Sequence, residues 1–153
     1  MSRNKKERAV DLPPLFTSFK PVGIAGRYLE NIVLTLDEYE AIRLVDYLGF
    51  NHIEAAESMC ISRPTFTRLL EKARHKLSKM LITGSMVSIG GGNVHFKKNI
   101  IKCNNCEQMF KININEYIDR CPNCNSEEIY NMAGGFGHGR CCTDFFNTKT
   151  KAL

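Results

Sequence analysis

Two cysteine pairs in the last third of the sequence constrain the fold more than any other feature. Cys103 and Cys106 form one CxxC motif, Cys121 and Cys124 form a second, and 14 residues separate the motifs. Four thiolates arranged in this way can surround one tetrahedral metal ion at about 2.3 Å. The spacing therefore predicts a zinc ribbon over residues 100–131, in which these four cysteines bind one structural Zn²⁺.

Other uses of the four cysteines remain open from the sequence. A rubredoxin-type iron centre also takes four thiolates. A CxxC motif can also be a redox dithiol, although no thioredoxin-like βαβ pattern accompanies either motif. Zinc is the predicted cofactor, and iron is the alternative.

The composition narrows the class of protein. With 43% hydrophobic and 24% charged residues, the chain is predicted to be globular rather than disordered. Its seven cysteines are odd in number, which argues against a disulfide framework. No apolar run approaches the roughly 18 residues that span a bilayer. We therefore expect a cytoplasmic protein with no membrane partner.

Three helices are predicted between residue 35 and about residue 81. Thr35, Asn51 and Ser62 are each followed by an amphipathic stretch, and side chains of these types cap helix N-termini. Residues 51–70 have the spacing of a helix-turn-helix, with the small Ala56 where the second and third helices cross. Cys60 stands where this turn commonly has glycine, and a left-handed conformation there would cost about 1 kcal/mol.

The charge distribution indicates a polyanionic partner. Residues 36–60 carry six acidic side chains and one basic, whereas residues 61–80 carry one acidic and six basic. A basic third helix of a helix-turn-helix is typical of proteins that bind the DNA major groove. A solvated charged helix is the alternative interpretation. The predicted base contacts are Arg63, Thr65, Thr67 and Arg68, and the predicted phosphate contacts are Lys72, Arg74 and Lys76.

The remaining segments complete the predicted domain organisation. Residues 1–34 form a basic, proline-containing arm, and residues 35–96 form the helix-turn-helix domain with a short β-hairpin around the glycines at 90–92. Residues 132–153 are predicted to be a glycine-rich flexible tail. Within this tail, His138, Cys141 and Cys142 are a candidate second metal or thiol site.

Several elements together resemble a known family. The EAIRL and SRPTF motifs (residues 40–44 and 62–66), with the LP and FKP elements of the arm and the later IGGGN turn, are similar to the domain-of-unknown-function 134 family. The resemblance covers roughly residues 8–96. It implies DNA binding through a helix-turn-helix like region four of sigma factors. Members commonly have a cysteine before the LP element, and this sequence has none there.

The sequence therefore predicts a mainly α fold: a three-helix, sigma region-four-like helix-turn-helix domain followed by a small β zinc-ribbon domain. The predicted function is sequence-specific binding of double-stranded DNA for transcriptional regulation, without enzymatic activity. The alternatives are a protein-interaction module that contacts the transcription machinery, with RNA polymerase as its partner, and a metal or redox sensor that uses the C-terminal cysteines and histidine. A homodimer would supply a second recognition helix, but no feature of the sequence shows dimerisation.

Overall fold

The computed structural model describes residues 7–151, and side chains as far as residue 148. These residues form two compact units. The first comprises residues 7–9 and 14–94, and the second comprises residues 10–13 and 95–151. Among the residues described, no helix combines the length and apolar character needed to cross a membrane.

The first unit contains the three helices that the sequence predicts. They are α1 (Leu36–Ile42), which continues into a π-helical turn over Arg43–Tyr47, α2 (His52–Ser58) and α3 (Arg63–Thr83). The three predicted N-caps are confirmed. The side chains of Thr35, Asn51 and Ser62 each accept a hydrogen bond from the backbone N–H three residues later. Each bond satisfies a donor that the first helical turn leaves unpaired.

A tight turn joins α2 to α3, and an apolar core holds the two helices together. Cys60 lies in this turn with a φ of 59°, so the left-handed conformation that glycine would favour is present here with a cysteine. Small alanines on α2 allow the helices to approach closely. The buried side chains of this core are Ala41, Leu44, Ala55, Ala56, Met59, Ile61, Phe66, Leu69 and Leu70.

A three-stranded sheet accompanies these helices in the first unit. Strands β2 (Ser18–Phe19), β3 (Asn31–Leu34) and β4 (Met86–Ile89) form one sheet in the order β2-β4-β3, with β3 parallel to β4. Strands β1 (Arg8–Val10) and β5 (Val94–Phe96) form a separate two-stranded sheet. The predicted strands on either side of the glycine turn are therefore present, but they do not form a hairpin, because β4 and β5 belong to different sheets.

The predicted fold class is wrong. Of the residues that the structure describes, 39% are helical and 21% are in strands, which form three small sheets, so the fold is mixed α/β rather than a mainly α three-helix domain with a ribbon. The difference arises in the first unit, where β3 pairs with β4, a strand that follows all three helices in the sequence. Local periodicity carries no signal for a parallel pairing between segments so far apart in the sequence.

The second unit is built on an antiparallel sheet. Strands β6 (Lys98–Cys103), β7 (Met109–Asn113) and β8 (Ile129–Asn131) are arranged in the order β7-β6-β8. Two helices follow, α4 (Met132–Gly135) and α5 (Arg140–Lys151). These helices occupy the segment that the sequence predicts to be a glycine-rich tail.

Replacing a buried leucine of α3 should destabilise the first unit strongly. Leu70 is 0% exposed, so Leu70→Ala should lower the free energy of unfolding by about 2–5 kcal/mol through lost burial and the cavity left behind. Leu81→Ala makes the same change in the same helix at a position that is 77% exposed, and should cost less than about 0.5 kcal/mol. Urea unfolding followed by circular dichroism measures both. Equal losses for the two variants would contradict the packing of α3.

Candidate functional site

The four cysteines of the two CxxC motifs converge on one point in the second unit. Their Sγ atoms all lie within 4.8 Å of one another. The Cys103 and Cys124 sulfurs are 3.6 Å apart, and so are the Cys106 and Cys121 sulfurs. Thiolates that ligate one zinc ion tetrahedrally at 2.3 Å are separated by about 3.8 Å. The cluster can therefore hold a metal ion, as the spacing of the motifs predicts.

The backbone presents each cysteine pair in the same way. The N–H groups of Asn105 and Cys106 both point at the Cys103 sulfur, each at 3.4 Å. Those of Asn123 and Cys124 point at the Cys121 sulfur in the same manner, at 3.4 and 3.5 Å.

Each pair then ends in a residue with left-handed backbone, Glu107 with a φ of 63° and Asn125 with a φ of 61°. The backbone N–H of Glu107 donates to the carbonyl oxygen of Cys103 at 3.0 Å. In the same way, the N–H of Asn125 donates to the carbonyl oxygen of Cys121 at 2.9 Å. Two equivalent turns therefore direct amide dipoles at the sulfurs. These amides favour the thiolate form that metals bind. At Cys103 the Cys106 amide lowers the pKa, but burial and the neighbouring sulfurs of Cys124 and Cys106 outweigh it and raise the pKa to about 11.

The hydrogen bonds around the cluster shift the thiol pKa values. The side-chain amide of Asn105 and the backbone N–H of Ser126 donate to Cys124 and lower its pKa to about 6. The backbone N–H of Gln108 and the side chain of Asn123 lower the pKa of Cys106. The side chains of Asn105 and Asn123 therefore bond to a cysteine of the other motif. The sequence did not single out either residue, although each lies inside a CxxC motif.

The basic side chains of α3 divide into two groups. Arg63, Arg68 and Lys72 are exposed, and within the described residues no ion pair involves any of them. Arg74 instead forms a two-pronged pair with Asp46, with N–O distances of 3.1 and 2.6 Å, and this contact lowers the pKa of Asp46. Lys76 binds the buried Glu38 at 2.6 Å.

The two threonines predicted to contact DNA differ in their surroundings. The Thr65 hydroxyl accepts a hydrogen bond from the Ser62 hydroxyl at 2.8 Å, at the exposed N-terminus of α3. The Thr67 hydroxyl lies 3.0 Å from Nδ1 of His52, and thereby links α3 to α2. The structure thus brings Arg63, Thr65, Arg68 and Lys72 to accessible positions, whereas Thr67, Arg74 and Lys76 contact other parts of the same unit.

The candidate C-terminal cluster also assembles, with one member that the sequence did not reveal. His138, Cys141 and Cys142 lie together, and His95 of β5 joins them, with all donor atoms within 4.8 Å. Burial lowers the pKa of His138 and raises that of Cys142 to about 11. No sequence motif connects His95 to residues more than 40 positions later, so only the fold identifies it.

Removing the four-cysteine centre should unfold the sheet of the second unit while leaving α3 intact. Cys106→Ser with Cys121→Ser should lower the metal content by about one ion per chain, because two ligands cannot close a tetrahedral site. Amide protection against hydrogen exchange should then fall in β6 and β7 but not in α3, which belongs to the other unit. Cys60→Ser is the control, since Cys60 lies outside both clusters. Unchanged metal content in the double variant would contradict the site.

Comparisons with known proteins place the chain in a family. The profile described as "Protein of unknown function DUF134" matches residues 1–97. A UPF0251 protein of Methanococcus vannielii is 49% identical over 149 residues, covering 97% of this chain and 92% of the relative. A UPF0251 protein of Chloroherpeton thalassium is 44% identical over 143 residues, covering 92% and 95%. No solved structure matches. The chain belongs to the DUF134 family of proteins of unknown function.

Proposed function

We propose that this protein binds double-stranded DNA in a sequence-specific way and acts as a transcriptional regulator. In this proposal α2 and α3 form a helix-turn-helix, and α3 is the recognition helix. The observation that carries the proposal is the exposed set of Arg63, Arg68 and Lys72 on α3, directly after a tight turn that fixes this helix against α2.

The packing between α2 and α3 suits a recognition helix because it leaves the N-terminal end of α3 accessible. Phe66 is fully buried between the helices, and the His52 ring meets it edge-on at 5.7 Å. On the accessible side, Ser62, Arg63 and Pro64 are all exposed. Helix-turn-helix proteins present this first part of the second helix to the base edges of the major groove.

The proposed contacts are divided between bases and phosphates. Arg63 and Arg68, with the Thr65 hydroxyl, lie in the first two turns and are assigned to base edges, where an arginine forked onto guanine gives about 1–3 kcal/mol of discrimination. Lys72 lies one turn after Arg68 and is assigned to a phosphate. Thr67, Arg74 and Lys76 each bond to another residue of the first unit, so we do not assign them to DNA.

Zinc is the metal proposed for the four-cysteine cluster. Four thiolates at tetrahedral spacing suit zinc, and because all four positions are filled by the protein, the role is structural rather than catalytic. Iron bound to the same ligands is distinguished by its visible absorption and by elemental analysis. About one equivalent of iron with this site intact would overturn the zinc assignment.

Loss of the two arginines should weaken recognition without unfolding the protein. A duplex selected by the wild-type protein from a random-sequence library is the probe. Arg63→Ala with Arg68→Ala should weaken its binding by at least about tenfold, because two base contacts are lost. Lys72→Ala should weaken binding to all duplexes similarly and reduce the slope of log K against log salt by about 1.

The matched control removes the same number of arginines elsewhere. Arg120 and Arg140 are exposed residues of the second unit, and Arg120→Ala with Arg140→Ala changes the net charge equally. This control should retain most of the affinity. Equal losses in the two double variants would show that net charge, and not α3, determines binding. Failure of the wild-type protein to enrich any duplex would overturn the proposed function.

A further inference from the structure

The second unit contains a cluster of four metal-ligating side chains apart from the four-cysteine centre. His95 lies in β5, His138 precedes α5, and Cys141 and Cys142 begin that helix. Nδ1 of His138 is 3.5 Å from the Cys141 sulfur and 3.5 Å from the Cys142 sulfur. The two sulfurs are 4.0 Å apart, and all four donors, His95 included, lie within 4.8 Å of one another.

These separations match a tetrahedral metal site. With zinc–sulfur distances of 2.3 Å and zinc–nitrogen distances near 2.05 Å, tetrahedral geometry places a sulfur and a nitrogen about 3.6 Å apart and two sulfurs about 3.8 Å apart. The observed distances are 3.5 Å and 4.0 Å. We propose that His95, His138, Cys141 and Cys142 bind a second Zn²⁺ ion, which fastens α5 to β5.

The surroundings of the cluster support a bound metal. Cys142 is fully buried, and the backbone N–H of Phe96 donates to its sulfur at 3.2 Å. An amide directed at a ligand sulfur is the same feature that the four-cysteine centre shows at Cys103 and Cys121. Hydrogen bonds from the backbone to a ligand atom orient the ligand and stabilise the thiolate.

Aromatic rings enclose the histidines on several sides. The ring of Phe145, one turn after Cys142 on α5, stacks on His95 with centroids 4.6 Å apart. The ring of Phe96 meets His138 edge-on at 5.2 Å. These contacts hold both imidazoles in place and limit the access of water. A preorganised, partly dry ligand set binds zinc more tightly than a set of mobile side chains.

A disulfide between the two adjacent cysteines fits the geometry less well. Consecutive Cα atoms are 3.8 Å apart across a trans peptide, below the 4.4–6.8 Å usual between disulfide-bonded residues. The cysteines also lie in the first turn of a helix, and their sulfurs are 4.0 Å apart, about twice the S–S bond length. Two thiolates and two imidazoles are instead an established ligand class for structural zinc.

The decisive measurement is X-ray absorption at the zinc edge on the full-length wild-type protein, together with its metal content. If both clusters are filled, the chain holds two zinc ions, and six sulfurs and two nitrogens give an average of three sulfur ligands and one nitrogen ligand per ion. If only the four-cysteine centre is filled, the chain holds one ion with sulfur ligands alone. That second result would overturn the proposal without any mutation.

A pair of variants assigns the ions to their sites. His138→Ala with Cys141→Ser removes two ligands that are not fully buried, and should leave one zinc per chain with an all-sulfur shell. Cys106→Ser with Cys121→Ser should leave one zinc with two sulfur and two nitrogen ligands. Cys60→Ser should retain both ions. Two zinc ions in the first variant, or an all-sulfur shell in the second, would overturn the assignment.

Discussion

The ion pair between Lys76 and Glu38 joins α3 to α1 in the first unit. Glu38 is only 2% exposed, and its carboxylate also accepts the Thr35 N–H in the capping box of α1. A buried carboxylate costs several kcal/mol unless a charged partner and hydrogen bonds compensate. Lys76 supplies that partner and also donates to the Val33 carbonyl oxygen at 2.7 Å. The pair thus holds Lys76 inside the first unit, while the buried side chains of Phe66, Leu69 and Leu70 orient α3 and leave Arg63, Arg68 and Lys72 exposed.

Charge in the sequence is thus a poor measure of charge available to a partner. The change of sign between residues 36–60 and 61–80 predicts a surface for a polyanion. In the structure, part of that change is neutralised inside the unit, because Arg74 pairs with Asp46 and Lys76 with Glu38. Only the exposed Arg63, Arg68 and Lys72 support the DNA proposal, which is a smaller set of basic residues than the sequence predicts.

Local signals predicted local structure well. Thr35, Asn51 and Ser62 cap their helices because a short polar side chain bonds to a nearby amide, and that interaction is contained within a few residues. Each CxxC turn is equally local, and the ligand chemistry of paired CxxC motifs predicts that the two turns meet, as they do here. The parallel pairing of β3 with β4 and the position of His95 depend on contacts between distant segments, and no periodicity or motif encodes such contacts. The fold class was wrong for this reason.

The second unit shows why clusters of ligands matter more than apolar burial in a small domain. Its sheet has three short strands, and the buried apolar side chains there are few, with Ile100, Ile101 and Ile112 prominent among them. A core of this size contributes little stability by itself, so metal binding can supply much of the folding free energy. Six of the seven cysteines lie in the two clusters. One cluster closes the turns of this sheet, and the other connects β5, which belongs to the two-stranded sheet, to α5. Two closed ligand sets, each with four protein donors, would stabilise structure rather than present a metal to substrate.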